Sequence, residues 1–147
     1  MAAGDAGDAV DLDQAVSRPS RDIVAGVGFR HATQAEEIVT LVGRGLAACG
    51  HASSRLRALA TAEDRADEAA FHAAAHTLGC ATIGLAAEAL RAVDADVPTR
   101  SARMEAERGI GSLAEAAALA GAGAGGVLIL PRIASAGATL ALATVSA

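Results

Sequence analysis

Residues 23–28 read Ile-Val-Ala-Gly-Val-Gly, a short apolar run that ends in glycine. A run of this kind predicts a strand that is buried on both faces and turns sharply into a loop. The next segment, from Thr33 to Cys49, is predicted to be a helix because its apolar residues recur at helical spacing. Thr33 and Glu36 have the spacing of a capping box, which places the helix start there. The fold therefore opens with a strand, a loop and a helix.

Strands and helices continue to alternate along the rest of the chain. The predicted strands are residues 56–60, 80–85, 127–130 and 139–145, and the predicted helices are residues 65–78, 86–93, 101–107 and 112–120. Residues 61–64 are expected to cap the first of these helices, and Gly79 to end it. The alternation predicts one α/β domain at residues 22–147, with a mixed, mostly parallel sheet of about five strands and helices on both faces. Residues 1–21, rich in Ala, Gly and Asp, are expected to form a flexible leader.

The composition excludes several kinds of partner. The chain has 147 residues, two Phe, no Trp or Tyr, and a net charge of −5. Few aromatic side chains and an acidic balance oppose nucleic-acid binding. No apolar run approaches the ~20 residues that span a bilayer, and no secretory signal precedes the fold, so no membrane partner is expected and the cytoplasm is the default location. The two cysteines, Cys49 and Cys80, are interpreted as reduced thiols.

Three segments together resemble the family formed by CobE and the C-terminal domain of CbiG proteins. They are residues 24–30 with the helix start Glu36-Glu37-Ile38, residues 61–69 followed by Leu78-Gly79, and residues 99–145 with Gly109-Ile110-Gly111-Ser112, Glu115 to Leu119 and Leu130-Pro131-Arg132. The family often has Cys at the position of Phe29, and Lys at the positions of Arg65 and Arg132. Phe29 removes thiol chemistry from its loop, whereas the arginines keep the positive charge.

The resemblance implies a role in the corrin pathway, whose intermediates carry many carboxylates. Arg30 and Arg132, each expected at the C-terminal end of a strand, would bind carboxylates through paired N–H donors. Glycines at four loop positions would let the backbone approach a flat ring, and helix starts would offer N–H donors to an anion. The candidate ligand-binding residues are Gly26, Gly28, Arg30, Ser101, Gly109, Gly111, Ser112 and Arg132. The alternative is that the glycines only form turns and the arginines pair with Glu36, Glu105 or Glu115.

Glu36, Glu105 and Glu115 are the candidate catalytic residues, because each lies near a junction between a loop and a helix. Acidic residues also favour helix starts without any catalytic role. His72, His76 and Cys80 are spaced for one helix face, which a soft divalent metal could use, but Gly79 is expected to end the helix before Cys80. We therefore predict no metal site. No cofactor is expected either, because the third glycine of a dinucleotide-binding fingerprint is absent after Gly28.

Three functions follow from the resemblance. The first is a carrier or accessory protein that binds a precorrin or cobalt-precorrin intermediate and works with other enzymes of the corrin pathway. The second is a hydrolase that opens a precorrin lactone with loss of a two-carbon fragment. The third is an interaction domain without catalytic activity. The small-residue helix at residues 116–120 could pack inside the domain or across a homodimer, so the oligomeric state is left open.

Overall fold

The computed structural model describes residues 21–146, so the predicted leader lies outside the described residues except for Arg21. Strands and helices alternate up to Ala92, and two further helices and two strands follow. No helix in this range is long and apolar enough to cross a bilayer. The described elements are β1 (Ile23–Phe29), α1 (Ala35–Ala48), β2 (Leu56–Ala62), α2 (Ala69–Leu78), β3 (Ala81–Leu85), α3 (Ala87–Ala92), α4 (Ala102–Arg108), α5 (Leu113–Ala122), β4 (Val127–Ala134) and β5 (Ala138–Thr144).

The five strands form one sheet in the order β3-β2-β1-β5-β4. β1 pairs with β2 and β2 with β3 in parallel, whereas β5 runs antiparallel to both of its neighbours, β1 and β4. Four strands therefore point in one direction and β5 in the other. The predicted mixed, mostly parallel sheet is confirmed.

Helices cover both faces of the sheet, which confirms the three-layer α/β architecture. Along β1, alternate side chains enter two cores: Ile23, Ala25 and Val27 pack with α1 and α2, and Val24 packs with α3 and α5. This alternation follows from the twofold periodicity of a strand. In α5, residues 116–118 are completely buried, so the small-residue helix packs inside the domain.

Two predicted helix starts are wrong. Helix α1 begins at Ala35 after Gln34, whose side chain makes no capping bond. The hydroxyl of Thr33 instead donates to the carbonyl of Gly137 at 2.9 Å, so the Thr33–Glu36 capping box does not form. Helix α2 begins at Ala69 and not near Arg65, because Thr61 belongs to β2, where its hydroxyl donates to the carbonyl of Val27 at 2.7 Å.

Other boundaries agree with the sequence. Gly79 and Gly109 end α2 and α4 with positive φ values of 72° and 71°, in the left-handed conformation that glycine adopts without steric cost. Ser101 and Ser112 are the N-caps of α4 and α5. The predicted strand at 127–130 is longer than expected and continues to Ala134.

Candidate functional site

A cleft of about 790 Å³ lies at the edge of the sheet where β1 and β4 end. Its walls come from five segments that are distant in sequence: the loop after β1, the loop between β2 and α2, helix α4, the start of α5 and the turn between β4 and β5. The C-terminal ends of parallel strands are where open α/β sheets place ligands. The position and size of the cleft therefore suit a small-molecule site.

The structure brings five of the eight predicted ligand-binding residues together in this cleft. Its lining includes Gly28, Arg30, Ser101, Ser112 and Arg132. Arg30 follows β1, as predicted, but Arg132 lies within β4 and not after it, because β4 extends four residues beyond the predicted strand. The two arginines nevertheless reach the same cleft, since β1 and β4 point in the same direction and only β5 separates them.

The other three predicted residues lie outside the lining of the cleft. Gly26 lies under α5, where an added Cβ would overlap the carbonyl oxygen of Ala114. Gly111 lies under the backbone of Thr99 and the side chain of Arg100, which an added Cβ would also overlap. Gly109 ends α4. These positions serve close packing and helix termination.

Positive charge is concentrated in the cleft. The lining contains five arginines and His31 but two carboxylates, Asp64 and Glu107. Arg108 donates to both carboxylate oxygens of Asp64 at 3.2 Å, and Nε of Arg103 donates to Glu107 at 2.9 Å. Within the described residues, the side chains of Arg30 and Arg132 form no ion pair. Both guanidinium groups are exposed, and among residues 21–146 they do not pair with Glu36, Glu105 or Glu115, so the predicted alternative does not occur there. The charge of Arg30 contributes to the lowered pKa of Glu37 without an ion pair between them.

Arg65 is a cleft residue that sequence reasoning left out of the candidate site. Its guanidinium lies 4.4 Å from the centre of the Phe29 ring, and its Nε donates to Glu68 at 2.7 Å. Its Nη2 is buried and has no hydrogen-bond partner within the described residues. Buried donors are normally paired, so an unpaired one marks a place where an acceptor fits. The available signal was the basic residue that precedes the acidic pair Asp67-Glu68.

None of the three candidate catalytic carboxylates lines the cleft. Glu36 is exposed on the first turn of α1, and Glu105, on α4, accepts from Nε of Arg100 at 3.0 Å. Glu115 is completely buried and accepts hydrogen bonds from Thr99 and from the backbone of Arg132. The structure therefore does not assemble these carboxylates into an acid–base pair.

The loop that leads into α4 is held by Asp94. Its carboxylate accepts from the backbone N–H of Gly111 at 2.8 Å and from both terminal nitrogens of Arg100 at 3.0 Å. The Arg100 guanidinium and the Gly111 N–H hold the pKa of Asp94 below its ordinary value, so the carboxylate stays ionised at neutral pH. The backbone N–H of Ser101 also donates to the carbonyl of Gly111 at 2.9 Å. These bonds therefore join the segment before α4 to the segment after it.

The histidines and cysteine considered for a metal lie away from the cleft. His72 and His76 belong to α2, and Gly79 ends that helix before Cys80, as predicted. Burial raises the pKa of the Cys80 thiol, which disfavours the thiolate that a metal would need. Within residues 21–146, no group of three or more His, Cys, Asp or Glu side chains is arranged to hold a metal ion.

Comparison with known proteins identifies the family. Residues 23–143 match the family model described as "Cobalamin synthesis G C-terminus". A protein from Sinorhizobium sp. named "Protein CobE" is 40% identical over 121 residues, which are 82% of this chain and 79% of that protein. The family match includes both Arg30 and Arg132, since it runs from residue 23 to residue 143.

Solved structures agree with the family match. The structure of CobE, a protein from the cobalamin (vitamin B12) biosynthetic pathway, has a TM-score of 0.79 and 31% identity, and the alignment covers 85% of this chain and 94% of that one. The cobalamin biosynthesis protein chiG from Agrobacterium tumefaciens has a TM-score of 0.68 and 35% identity over 85% of this chain and 99% of that one. The chain therefore belongs to the CobE and CbiG C-terminal family of cobalamin biosynthesis proteins.

Proposed function

We propose that this chain binds a carboxylate-rich precorrin or cobalt-precorrin intermediate in the cleft and acts as a carrier or accessory factor of the corrin pathway. The observation that carries the proposal is the concentration of five arginines in one cleft of a chain whose net charge is −5. Arg30 and Arg132 have no ion-pair partner within the described residues, so a ligand carboxylate would not have to displace an existing one. Charge-assisted bonds of this kind are the strong ones.

The size and composition of the cleft also support this ligand class. A cleft of about 790 Å³ is large for a small metabolite and suits a macrocycle. Its lining contains Arg65, whose guanidinium lies over the Phe29 ring, together with Arg30 and Arg132. A ring with acidic groups around its rim would meet an arginine on more than one side.

The hydrolase alternative has less support from the geometry. The two carboxylates that line the cleft, Asp64 and Glu107, are each bonded to an arginine, and the three candidate catalytic carboxylates lie elsewhere. The interaction-domain alternative also has less support. Among the large apolar residues of the described range, the exposed one is Val127, at 58% exposure, which does not make an extended apolar patch.

The proposal is tested by titrating the purified chain with precorrin and cobalt-precorrin intermediates and following the visible spectrum of the ligand. We expect saturable binding without conversion of the ligand. Arg30→Ala and Arg132→Ala should each raise the dissociation constant about tenfold or more, because each variant loses a charged hydrogen bond. Arg44→Ala, which removes an exposed arginine of α1 outside the cleft, is the matched control and should bind as the wild type does.

Two outcomes would contradict the carrier role. Conversion of the ligand with turnover would favour the lactone hydrolase. No spectral change with any intermediate would leave the interaction domain, with another corrin-pathway enzyme as its partner.

A further inference from the structure

Glu115 has an unusual environment for a carboxylate. It lies in the first turn of α5 and its side chain is completely buried. Burial of a charged or polar group is costly unless donors surround it. Three donors do so here: the N–H of Thr99 at 2.9 Å, the hydroxyl of Thr99 at 2.8 Å and the backbone N–H of Arg132 at 2.8 Å.

The bond to Arg132 forms where the sheet is irregular. The pairing of β4 with β5 shifts between Leu130 and Ile133, and Arg132 lies inside this irregular segment. A bulge leaves a backbone group without its ladder partner and redirects the neighbouring side chain. The Glu115 carboxylate accepts from the N–H of Arg132 at this point. It therefore fixes the segment of β4 from which the Arg132 side chain enters the cleft.

The bonds to Thr99 hold the opposite wall of the cleft. Thr99 lies two residues before Ser101, the N-cap of α4, and α4 contributes several residues to the lining. The same carboxylate thus joins the base of α4 to the arginine-bearing part of β4. No other described residue accepts hydrogen bonds from both segments.

We infer that Glu115 is a positioning residue that sets Arg132 and the base of α4 at the separation the ligand carboxylates require. This inference rests on the proposed function and assigns to Glu115 a role that does not involve contact with the ligand. Preformed geometry matters because a misplaced donor loses most of its contribution to binding. Glutamine replaces this carboxylate only in part. Its oxygen can take the place of Oε2, which accepts from the Thr99 hydroxyl and the Arg132 N–H, but its NH₂ group then faces the N–H of Thr99, which donates to Oε1 in the wild type.

The experiment is the same spectral titration applied to the wild type, Glu115→Gln, Arg132→Ala and the double variant, under conditions in which denaturant curves show each to be folded. We expect Glu115→Gln to weaken binding about tenfold in the wild type but less than about threefold in the Arg132→Ala background. Arg132→Ala keeps the backbone N–H that Glu115 accepts from but lacks the side chain that this bond positions. A structural role alone would lower stability and leave the affinity of the folded protein unchanged. Thr99→Val, which removes one of the three donors, should weaken binding less and serves if Glu115→Gln does not fold.

The outcomes separate the two proposals. If Glu115→Gln and Thr99→Val bind the ligand with the wild-type affinity, the positioning role is overturned and the carrier role remains. Equal weakening by Glu115→Gln in both backgrounds would also overturn it. Absence of binding by the wild type would overturn the proposed function, and the inference with it.

Discussion

Gly26 lies where β1 meets α5, and the contact leaves no room for a side chain. An added Cβ would overlap the backbone of Ala114, so Gly26→Ala must push the helix away from the sheet. We expect a loss of about 1–3 kcal/mol in the free energy of unfolding, as for other overpacked cores. Urea denaturation measures this change.

Gly43→Ala is the matched control for Gly26→Ala. Gly43 lies in the middle of α1 with nothing within 4 Å of an added Cβ, so alanine should stabilise the protein by about 0.5–1 kcal/mol through its helix propensity. Equal effects of the two substitutions would contradict the close contact at Gly26.

Glu37 provides a pH-dependent test of the cleft wall. Its carboxylate accepts from the hydroxyl of Ser135 and the N–H of Gly137, which hold its pKa below the ordinary value of 4.5. Because the folded-state pKa is the lower one, Glu37 contributes stability above its unfolded-state pKa and loses that contribution as the pH falls through the folded-state value. Glu37→Gln should therefore be less stable at neutral pH and should show a smaller further loss of stability on acidification.

Urea midpoints measured from pH about 7 to pH about 3 check this expectation. The control is Glu36→Gln, which changes the exposed neighbour on the same helical turn and should follow the wild-type curve. If Glu37→Gln loses as much stability on acidification as the wild type, the bonds to Ser135 and Gly137 do not contribute as described.

Glu36 and Glu37 show what a local sequence pattern can and cannot predict. The sequence predicts Glu36 as the helix-start residue, because a capping box is read from neighbours three positions apart. The partners of Thr33 and Glu37 lie about a hundred residues further along the chain, in the turn between β4 and β5. No local spacing contains that information. The place of Arg30 at this edge of the sheet was predictable, because it follows the end of β1. Arg132 reaches the same cleft although it lies within β4 and not after it.

Among the elements, α4 is the wall of the cleft with the weakest attachment. None of its residues is buried, and the bond between Ser101 and Gly111 joins the two segments that flank it. Arg108 joins it to Asp64 across the cleft. We expect the backbone amides of α4 to exchange at least about tenfold faster than those of α5, whose residues are mostly buried.

Hydrogen exchange read by mass spectrometry or NMR tests this order. Arg108→Ala should accelerate exchange in α4 further, because it removes the bond to Asp64, whereas Arg44→Ala on α1 should leave α4 unchanged. Similar protection in α4 and α5 would show that α4 is a fixed part of the wall.

The element order was predictable because most helices and strands have an apolar pattern and clear end signals, such as Gly79 and Gly109. The start of α2 was not. The predicted helix begins near Arg65, but residues 63–68 form the turn that carries Asp64 and Arg65 into the cleft. Arg65 is held there by Phe29 and Glu68, and the contact with Phe29 is tertiary. The wrong prediction of the start of α2 therefore concerns a segment that lines the cleft.

At the scale of the whole molecule, the sign of the charge in the cleft is opposite to the net charge of the chain. The chain carries a net charge of −5, whereas the cleft lining is rich in arginine. Such a field attracts a polyanionic ligand to one place and repels it elsewhere. The association rate should therefore fall about tenfold or more between about 0.05 M and about 0.5 M salt, while the dissociation rate changes less.

Stopped-flow measurements of the ligand spectrum separate the two rates. The double variant Arg30→Ala, Arg132→Ala should show a weaker salt dependence than the wild type, and Arg44→Ala the same dependence. An association rate that does not vary with salt would contradict steering by the cleft.

The position of β5 has a consequence for how the chain folds during synthesis. β1, β2 and β3 can pair as they leave the ribosome, but β4 has β5 as its strand partner and joins the sheet only through it. Although β4 is synthesised before β5, it can join the sheet only after β5 has paired with β1. The half of the cleft that bears Arg132 is therefore the last to be assembled, and a nascent chain lacks the site until the sheet is complete.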